Sequence, residues 1–172
     1  MKKVIYAILV MILSVPLSGY TVKGGVTYTV ETARKEAFAD VEYTLPKSII
    51  NAHKTDPNYK ENMKAKANGV NRLSDRYINF FDDGAYGIRY YNNLNYAYYY
   101  ENGKLEAIDK SIGSSFPKKN YRFNLKGKLE SISISVGPRE SYLFELNGQL
   151  FGHWVNDKCY DLTGKIIGKR YE

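Results

Sequence analysis

The chain has 172 residues, a formal net charge of +7 and an aromatic content of 15%. A chain of this length can bury one hydrophobic core. Its single cysteine, Cys159, excludes an intrachain disulfide. Together with two distant histidines, His53 and His153, that cysteine supplies too few ligands for a closed zinc site. The sequence therefore predicts no metal centre, and no motif in it predicts a cofactor.

The N-terminus is typical of an export signal. Lys2 and Lys3 precede an uninterrupted apolar run over residues 4–15. This run is short for a membrane span, which needs about 20 apolar residues, so the pattern predicts a bacterial signal peptide over residues 1–19. An uncleaved membrane anchor is the alternative. We expect an exported protein whose destination is the periplasm, the cell surface or the medium.

The segment 20–75 predicts two short helices that cap a sheet. Thr29 suits the N-cap of the first helix, and Pro46 is suited to end it. Asp56 and Pro57 suit the N-cap and first position of the second helix, with Gly69 past its end. A short piece around residues 49–50 lies between them. The apolar stripe of the first helix consists of Val30, Ala33, Ala37, Phe38, Val41 and Leu45.

One short pattern occurs five times in residues 76–172. Each copy has an aromatic residue, then a glycine four positions later, then an apolar residue two positions after the glycine. Repeats of about 20 residues are typical of one supersecondary unit stacked on copies of itself. The aromatic residues are Phe80, Tyr99, Phe123, Phe144 and Tyr160, the glycines are Gly84, Gly103, Gly127, Gly148 and Gly164, and the apolar residues are Tyr86, Leu105, Leu129, Leu150 and Ile166.

This spacing favours β-hairpins whose loops have three residues and end at the glycine. Such a loop pairs the aromatic residue directly with the apolar residue, so both lie on one face of the sheet. Glycine suits the left-handed last position of the loop because it has no Cβ to clash there. The predicted cross-strand pairs are Phe80 with Tyr86, Tyr99 with Leu105, Phe123 with Leu129, Phe144 with Leu150, and Tyr160 with Ile166.

Seven tyrosines are concentrated between positions 86 and 100. Since side chains alternate along a strand, Tyr96, Tyr98 and Tyr100 are predicted on the face opposite Tyr99, as a row of rings open to solvent. With Arg89 they form a candidate binding platform, where rings stack on sugars or pack against a peptide and the guanidinium meets an anion. The alternative is that tyrosine covers the apolar surface of a thin sheet while its hydroxyl stays in water.

Catalytic residues are not predicted. His153, Cys159 and Asp161 lie close together in the sequence, but nearby strand residues point to different faces and their spacing matches no catalytic motif. Cys159 is expected to be buried and inert. A hydrolase that uses Cys159 and His153 is the least favoured alternative.

Basic residues are spread through the repeat region. In an exported protein they favour envelope polyanions, lipid headgroups or wall polymers as partners over nucleic acid. The alternative is a solvated basic face. These residues are Lys118, Lys119, Arg122, Lys126, Lys128, Lys165, Lys169 and Arg170.

Two stretches, YYENGKLEA at residues 99–107 and GHWVNDKCYDLTGKIIG at residues 152–168, resemble the bacterial MORN-variant repeats. The resemblance covers residues 76–172. It implies a single-layer array of antiparallel hairpins and a role as an interaction scaffold; many such proteins carry an antitoxin label, and no catalytic residues belong to the motif. Among the repeat junctions, the last one keeps the Gly152 and Trp154 pair of the motif.

The sequence thus predicts a mainly β protein, α+β overall. Its fold is a single-layer antiparallel β-hairpin repeat meander of about five hairpins, preceded by two short helices. The expected function is an exported, non-enzymatic binding or scaffold protein of the bacterial envelope. Its partner is a protein or an envelope polymer, a glycan or a polyanion, and peripheral contact with a membrane surface stays open. The alternative is an inhibitor or immunity-type protein that blocks another protein.

Overall fold

The computed structural model describes residues 21–22, 26–41 and 44–171. The predicted signal peptide, residues 1–19, lies outside the described residues. None of the helices in these ranges is long and apolar enough to span a bilayer.

The segment before the repeats contains three helices, so the prediction of two is wrong. Two short strands, β1 (Thr21–Val22) and β2 (Val26–Thr27), pair antiparallel ahead of them. The helices are α1 (Val30–Phe38), α2 (Lys47–Ala52) and α3 (Tyr59–Ala67). The additional helix, α2, occupies the short piece around residues 49–50.

Helix α1 starts as predicted and ends early. The Thr29 hydroxyl accepts a hydrogen bond from the Thr32 backbone N–H at 3.2 Å, and the Thr32 hydroxyl accepts from the Thr29 N–H at 2.7 Å. The predicted continuation to Leu45 is wrong, because Asp40 adopts a φ of +49°. The Tyr121 hydroxyl donates to the Asp40 carbonyl at 3.0 Å, so the chain beyond the helix is held by the sheet.

Helix α3 starts two residues later than predicted and stops where expected. The Asp56 carboxylate accepts from the backbone N–H of Asn58, which is the N-cap residue, at 2.9 Å. Gly69 follows the helix with a φ of +65°, which is the left-handed conformation that ends many helices.

The repeat region forms ten antiparallel strands in five hairpins. Hairpin 1 joins β3 (Arg76–Phe81) and β4 (Tyr86–Tyr90), hairpin 2 joins β5 (Tyr96–Glu101) and β6 (Lys104–Ile112), hairpin 3 joins β7 (Lys118–Phe123) and β8 (Leu129–Gly137), hairpin 4 joins β9 (Glu140–Glu145) and β10 (Leu150–Val155), and hairpin 5 joins β11 (Lys158–Tyr160) and β12 (Ile166–Tyr171).

The sheet closes into a barrel, which corrects the predicted open single-layer meander. The closing contact pairs Arg170 and Tyr171 of β12 with Phe81 and Phe80 of β3. Neighbouring strands rotate relative to each other by about 20–25°, and this twist accumulates over ten strands until the first and last can meet. Closure also pairs the two strands that would otherwise expose unpaired backbone groups at an edge.

Four of the five hairpins have the predicted three-residue loop. In hairpin 3 the Asn124 N–H donates to the Lys128 carbonyl at 3.0 Å, and Gly127 ends the loop with a φ of +75°. The aromatic–apolar pairing is confirmed in these hairpins. The observed pairs are Phe80 with Tyr86, Phe123 with Leu129, Phe144 with Leu150, and Tyr160 with Ile166.

Hairpin 2 differs, and the predicted pairing of Tyr99 with Leu105 is wrong. Asn102 and Gly103 both have positive φ values, +50° and +77°, as in a two-residue loop of the type that favours Asn-Gly. Tyr100 therefore pairs with Leu105, and Tyr99 pairs with Ala107 on the opposite face.

Side chains of the barrel alternate between two faces. The outer face packs against α1, α2 and α3, whose charged residues remain exposed to solvent. The inner face points toward the barrel axis, since the rings of Phe81 on β3 and Trp154 on β10 meet there across two intervening strands. The most deeply buried outer-face residues are Ile78, Tyr86, Ile88, Tyr100, Ile108, Tyr121, Phe123, Ile132, Ile134, Val136, Tyr142 and Phe144.

The segment with the helices crosses the hairpin turns in reverse order. The Arg34 Nε donates to the Gly148 carbonyl at 2.8 Å. The Leu45 N–H then donates to the Gly127 carbonyl at 3.0 Å, and the Asp56 N–H to the Gly103 carbonyl at 2.9 Å. One side of the sheet is thereby covered by the N-terminal segment, while none of the three helices in the described ranges lies on the inner face.

Candidate functional site

The predicted tyrosine platform lies on the covered face. Tyr98 is 4% exposed and Tyr100 is 0% exposed, so the expectation that these rings are open to solvent is wrong. The imidazole of His53 stacks on the Tyr98 ring at a centroid distance of 3.8 Å. Tyr96 is partly exposed. Because the helices cover Tyr98 and Tyr100, these two rings have no surface to offer a ligand.

The fourth predicted platform residue, Arg89, lies on the inner face. Its Nη1 donates to the Leu94 carbonyl at 2.8 Å and to the Ser111 hydroxyl at 2.9 Å. The structure therefore separates Arg89 from the three tyrosines with which it was grouped. It places Arg89 among polar side chains that the sequence had not grouped as a site.

The inner face is lined by small residues, several of which are buried, and by polar residues that remain partly exposed. Strand β8 shows the contrast, since its inner-face serines are partly exposed and the apolar residues between them are fully buried. The serines are Ser131, Ser133 and Ser135, and the buried residues are Ile132, Ile134 and Val136. The cross-strand register places further small residues on the same face, namely Gly87, Ala97, Ala107, Ser141, Gly152 and Gly168.

Five inner-face side chains form a hydrogen-bonded ladder across the strands. From Arg89 it continues with the Ser111 hydroxyl, which donates to the Asn120 Oδ1 at 2.6 Å. The Asn120 amide donates to the Ser135 hydroxyl at 3.2 Å, and the hydroxyls of Ser135 and Ser141 are 2.9 Å apart. Hydroxyl and amide groups each both donate and accept, so this ladder can exchange internal hydrogen bonds for bonds to a polar ligand.

An aromatic cluster adjoins the ladder. The Phe81 ring lies 6.1 Å from Tyr99 and 6.2 Å from Trp154. The guanidinium of Arg122 stacks 4.4 Å from the Tyr99 ring centroid. A Cβ at Gly87 would lie 2.9 Å from the Tyr99 ring, so the absence of a side chain at Gly87 is what lets this ring lie flat on the sheet.

A charged pair lies at the centre of the inner face. The Asp109 carboxylate is 3.6 Å from the Arg122 guanidinium, with side chains that are 13% and 38% exposed. Burial raises the pKa of Asp109, although Arg122 and the Tyr99 hydroxyl favour its charged form. The arrangement combines partly exposed rings and a guanidinium with a carboxylate whose Oδ1 is buried and accepts no hydrogen bond from the described residues.

His153, Cys159 and Asp161 do not form a catalytic site. His153 pairs with Tyr160, whereas Cys159 pairs with Trp154, so their side chains lie on opposite faces of the sheet. Burial raises the pKa of Cys159 to about 11, which disfavours the reactive thiolate. The His153 Nε2 instead bonds the Glu140 carboxylate at 2.9 Å, and the Asp161 carboxylate accepts from the Thr163 N–H in the hairpin 5 loop.

Among the described residues, no group of three or more His, Cys, Asp or Glu side chains is arranged to hold a metal ion. Comparison of the chain with protein-family models, curated proteins and solved structures finds no match. The resemblance to MORN-variant repeats therefore stays a prediction from the residues that carry it.

Sequence reasoning missed the inner-face site. The available signal was the strict alternation of serine with isoleucine and valine over residues 131–136, which indicates a strand with one polar and one apolar face. The partners of those serines on other strands depend on the register of each hairpin and on barrel closure, which the alternation does not specify.

Proposed function

We propose that this protein is an exported, non-enzymatic binding protein of the bacterial envelope and that it binds a glycan on the inner face of its barrel. The observation that carries the proposal is the contrast between the two faces. Over hairpins 1 to 4 the outer face is apolar and covered by the N-terminal segment, whereas the inner face is polar, partly exposed and carries aromatic rings.

The width of the barrel supports a ligand inside it. Barrels of about eight strands are already wide enough to be filled by side chains or to hold one small ligand. This barrel has ten strands, and many of its inner-face positions carry glycine, alanine or serine. The space over the glycines is taken by the side chains of Tyr99, Cys159 and Trp154. The room for water or a ligand therefore lies along the serines and polar side chains that remain partly exposed.

The chemistry of the inner face suits a sugar. The faces of Tyr99 and Trp154 offer apolar surfaces on which a pyranose ring can stack. The ladder, Asp109 and Arg122 offer both donors and acceptors for hydroxyl groups. A few convergent polar groups beside aromatic rings are the usual composition of a small-molecule site.

Export and the absence of catalysis are parts of the same proposal. Export rests on the pattern of residues 1–19, and its test is the mass of the protein recovered from a bacterial envelope fraction, where cleavage after Gly19 is expected. The non-enzymatic role is supported by the separation of His153 from Cys159 on opposite faces.

The binding test uses the one tryptophan of the chain as a reporter. Since Trp154 lies on the inner face, titration with a soluble β-1,4-linked amino-sugar oligosaccharide is expected to change its fluorescence in a saturable way. Calorimetry then compares Tyr99→Leu, which removes an inner-face ring, with Tyr171→Leu, which removes a ring that is 56% exposed and pairs with Phe80 on the outer face. We expect Tyr99→Leu to weaken binding at least about tenfold, which is about 1.4 kcal/mol, and Tyr171→Leu to leave it unchanged.

Equal affinity of both variants and the native protein would remove the inner face as the site. The recovered oligosaccharide should keep its length, and shortened products would contradict the non-enzymatic role. If the protein bound a folded envelope protein tightly and bound none of the glycans tested, the alternative of an inhibitor or immunity-type protein would be favoured.

A further inference from the structure

A groove separates helix α2 from the loop of hairpin 3. It forms a cavity of about 510 Å³ that is open to solvent. The α2 side of the groove carries Lys47 and Lys54, the hairpin side carries Lys126 and Lys128, and Ile50 lies between them. This lysine groove is distinct from the inner face of the barrel.

The four ammonium groups of the lysine groove have no counter-charge in it. All four lysines are exposed, and within the part of the chain that the structure describes, none of them forms a side-chain hydrogen bond or an ion pair. No aspartate or glutamate lines the groove. Like charges held together without a carboxylate repel each other, so an anion that enters the groove relieves this repulsion.

The two walls of the groove are fixed relative to each other by backbone contacts. The Leu45 N–H donates to the Gly127 carbonyl at 3.0 Å, and Thr44 forms a β-bridge with Lys128. The walls are in such close contact that a Cβ on Gly127 would lie 2.6 Å from the Leu45 carbonyl oxygen. The lysines on both walls are therefore presented by a preformed scaffold, which lowers the cost of ordering on binding.

The shape of the groove selects the kind of anion. Lys47 is the first residue of α2 and Lys54 lies two residues past its last residue, Ala52. The length of the six-residue helix, about 9 Å at a rise of about 1.5 Å per residue, therefore lies between these two lysines. A single phosphate ion is too small to contact all four ammonium groups over this span. A flat membrane surface meets the rims of a concave groove rather than both of its walls. An elongated anion with charges along its length can contact both walls together.

We propose that the lysine groove binds a linear polymer of phosphate groups. Lysine is a compact cation that contacts phosphate as a point charge, and four such cations along two facing walls match a chain that carries one negative charge per phosphate. Binding releases the counterions of the neutralised phosphates, so the affinity falls steeply as the salt concentration rises.

The test measures binding of short-chain linear inorganic polyphosphate to the full chain at low salt. The variant Lys47→Gln/Lys54→Gln/Lys126→Gln/Lys128→Gln removes the groove charges. The matched control, Lys35→Gln/Lys60→Gln/Lys64→Gln/Lys165→Gln, removes the same net charge from exposed lysines outside the groove. We expect the groove variant to lose at least about tenfold in affinity and to show a shallower salt dependence, while the control loses less than about twofold.

Equal losses in the two variants would overturn the proposal, because they would show attraction to net charge rather than to the groove. Orthophosphate and vesicles of anionic phospholipid are the comparison ligands. Binding of either one as tight as that of polyphosphate, and equally sensitive to the groove variant, would also overturn it. Since all eight residues are exposed, the variants are expected to unfold at the temperature of the native protein, which a thermal melt checks.

Discussion

Hairpins 1 to 4 and hairpin 5 carry the same repeat and differ in what covers them. The apolar residue after the turn glycine is almost fully buried in the first four hairpins, whereas Ile166 in hairpin 5 is 40% exposed. The N-terminal segment contacts hairpins 1 to 4 through the helices and the chain between them. The exposures at this position are 1% for Tyr86, 3% for Leu105, 7% for Leu129 and 4% for Leu150.

This difference separates the role of the repeat from the role of its surroundings. The repeat specifies a hairpin with a ring beside an apolar residue, and it does so in hairpin 5 as well as in the others, since Tyr160 pairs with Ile166. Burial of that pair requires a partner layer, because a sheet buries a face only against another element. Stability should therefore depend on the same repeat position to different extents in the two regions.

The largest contrast is expected at the repeat aromatic. Phe144 is 0% exposed and meets the Phe38 ring of α1 edge-on at 6.2 Å, so Phe144→Ala should lower the free energy of unfolding by about 3–5 kcal/mol. Tyr160→Ala, at the partly exposed equivalent position of hairpin 5, should cost less than half as much. Urea denaturation of both variants measures the difference, and equal losses would contradict the comparison.

The turn glycines provide a second matched pair. Gly127 and Gly164 both have positive φ, +75° and +81°, so alanine at either position should cost about 1–2 kcal/mol. Gly127→Ala should cost roughly 1 kcal/mol more, because the new Cβ meets the Leu45 carbonyl oxygen and displaces a backbone hydrogen bond. A Cβ at Gly164 meets open space. Chemical denaturation gives both values, and a larger loss at Gly164 would show that covering does not add to the cost.

A third test removes the polar connection between α3 and hairpin 1. The Arg76 Nε donates to the Asn62 side-chain oxygen at 2.9 Å, and Asn62 is 0% exposed. Arg76→Met leaves that buried oxygen without its donor and also removes the ion pairs of Arg76 with Glu61 and Asp75, whose side chains are more than half exposed. Because ion pairs with exposed carboxylates contribute little, the expected cost of about 1–3 kcal/mol comes mainly from the Asn62 oxygen. Arg72→Met, at an exposed position on the preceding segment, is the control and should change the unfolding free energy by less than about 0.5 kcal/mol. If both variants lowered the free energy of unfolding by similar amounts, the contact between Arg76 and Asn62 would not be the source of the stabilisation.

The smallest expected effect is a pH dependence from His53, which covers Tyr98 of hairpin 2. Burial lowers the pKa of His53 below its usual value of 6.5, so the folded protein favours the neutral imidazole. As the pH falls through 6.5, the unfolded chain takes up the proton first, and stability is lost until the lowered folded pKa is reached. His53→Phe keeps a ring on Tyr98 and removes this titration. Thermal melts between pH 7.5 and pH 5 are therefore expected to show a smaller loss of stability with falling pH in the variant than in the native protein. An equal loss in both proteins would rule out His53 as the cause of the pH dependence.

The local features of the repeat were predictable from the sequence. The position of Gly127 four residues after Phe123 and two before Leu129 was enough to fix the loop length and the pairing in hairpin 3. The glycine spacing gave the wrong loop length for hairpin 2, because Asn102 also adopts a left-handed conformation. The loop is therefore one residue shorter than predicted, and Tyr99 points to the inner face. One asparagine thereby moved an aromatic ring from the covered face into the candidate site.

The candidate site itself was only partly predictable. Arg89 was selected from the sequence, but its companions were taken to be tyrosines nearby in the chain rather than Ser111 and Asn120, which the register brings to it. The lysine groove was not predicted either, because its lysines are distant in the sequence and are brought together by the fold. Lys126 and Lys128 were noted as part of a dispersed basic region, whereas Lys47 begins a helix that docks beside them and Lys54 follows the end of that helix.

The sequence by itself determined the five hairpins, the glycines that end four of their loops and the N-cap of α1, because backbone conformation and cross-strand pairing over a few residues depend on local chemistry. The tertiary structure decided that the sheet closes, that the helices cover Tyr98 and Tyr100, and that the inner face keeps its access to water. These outcomes depend on twist summed over ten strands and on contacts between residues that are distant in the chain, so no single stretch of the sequence contains them.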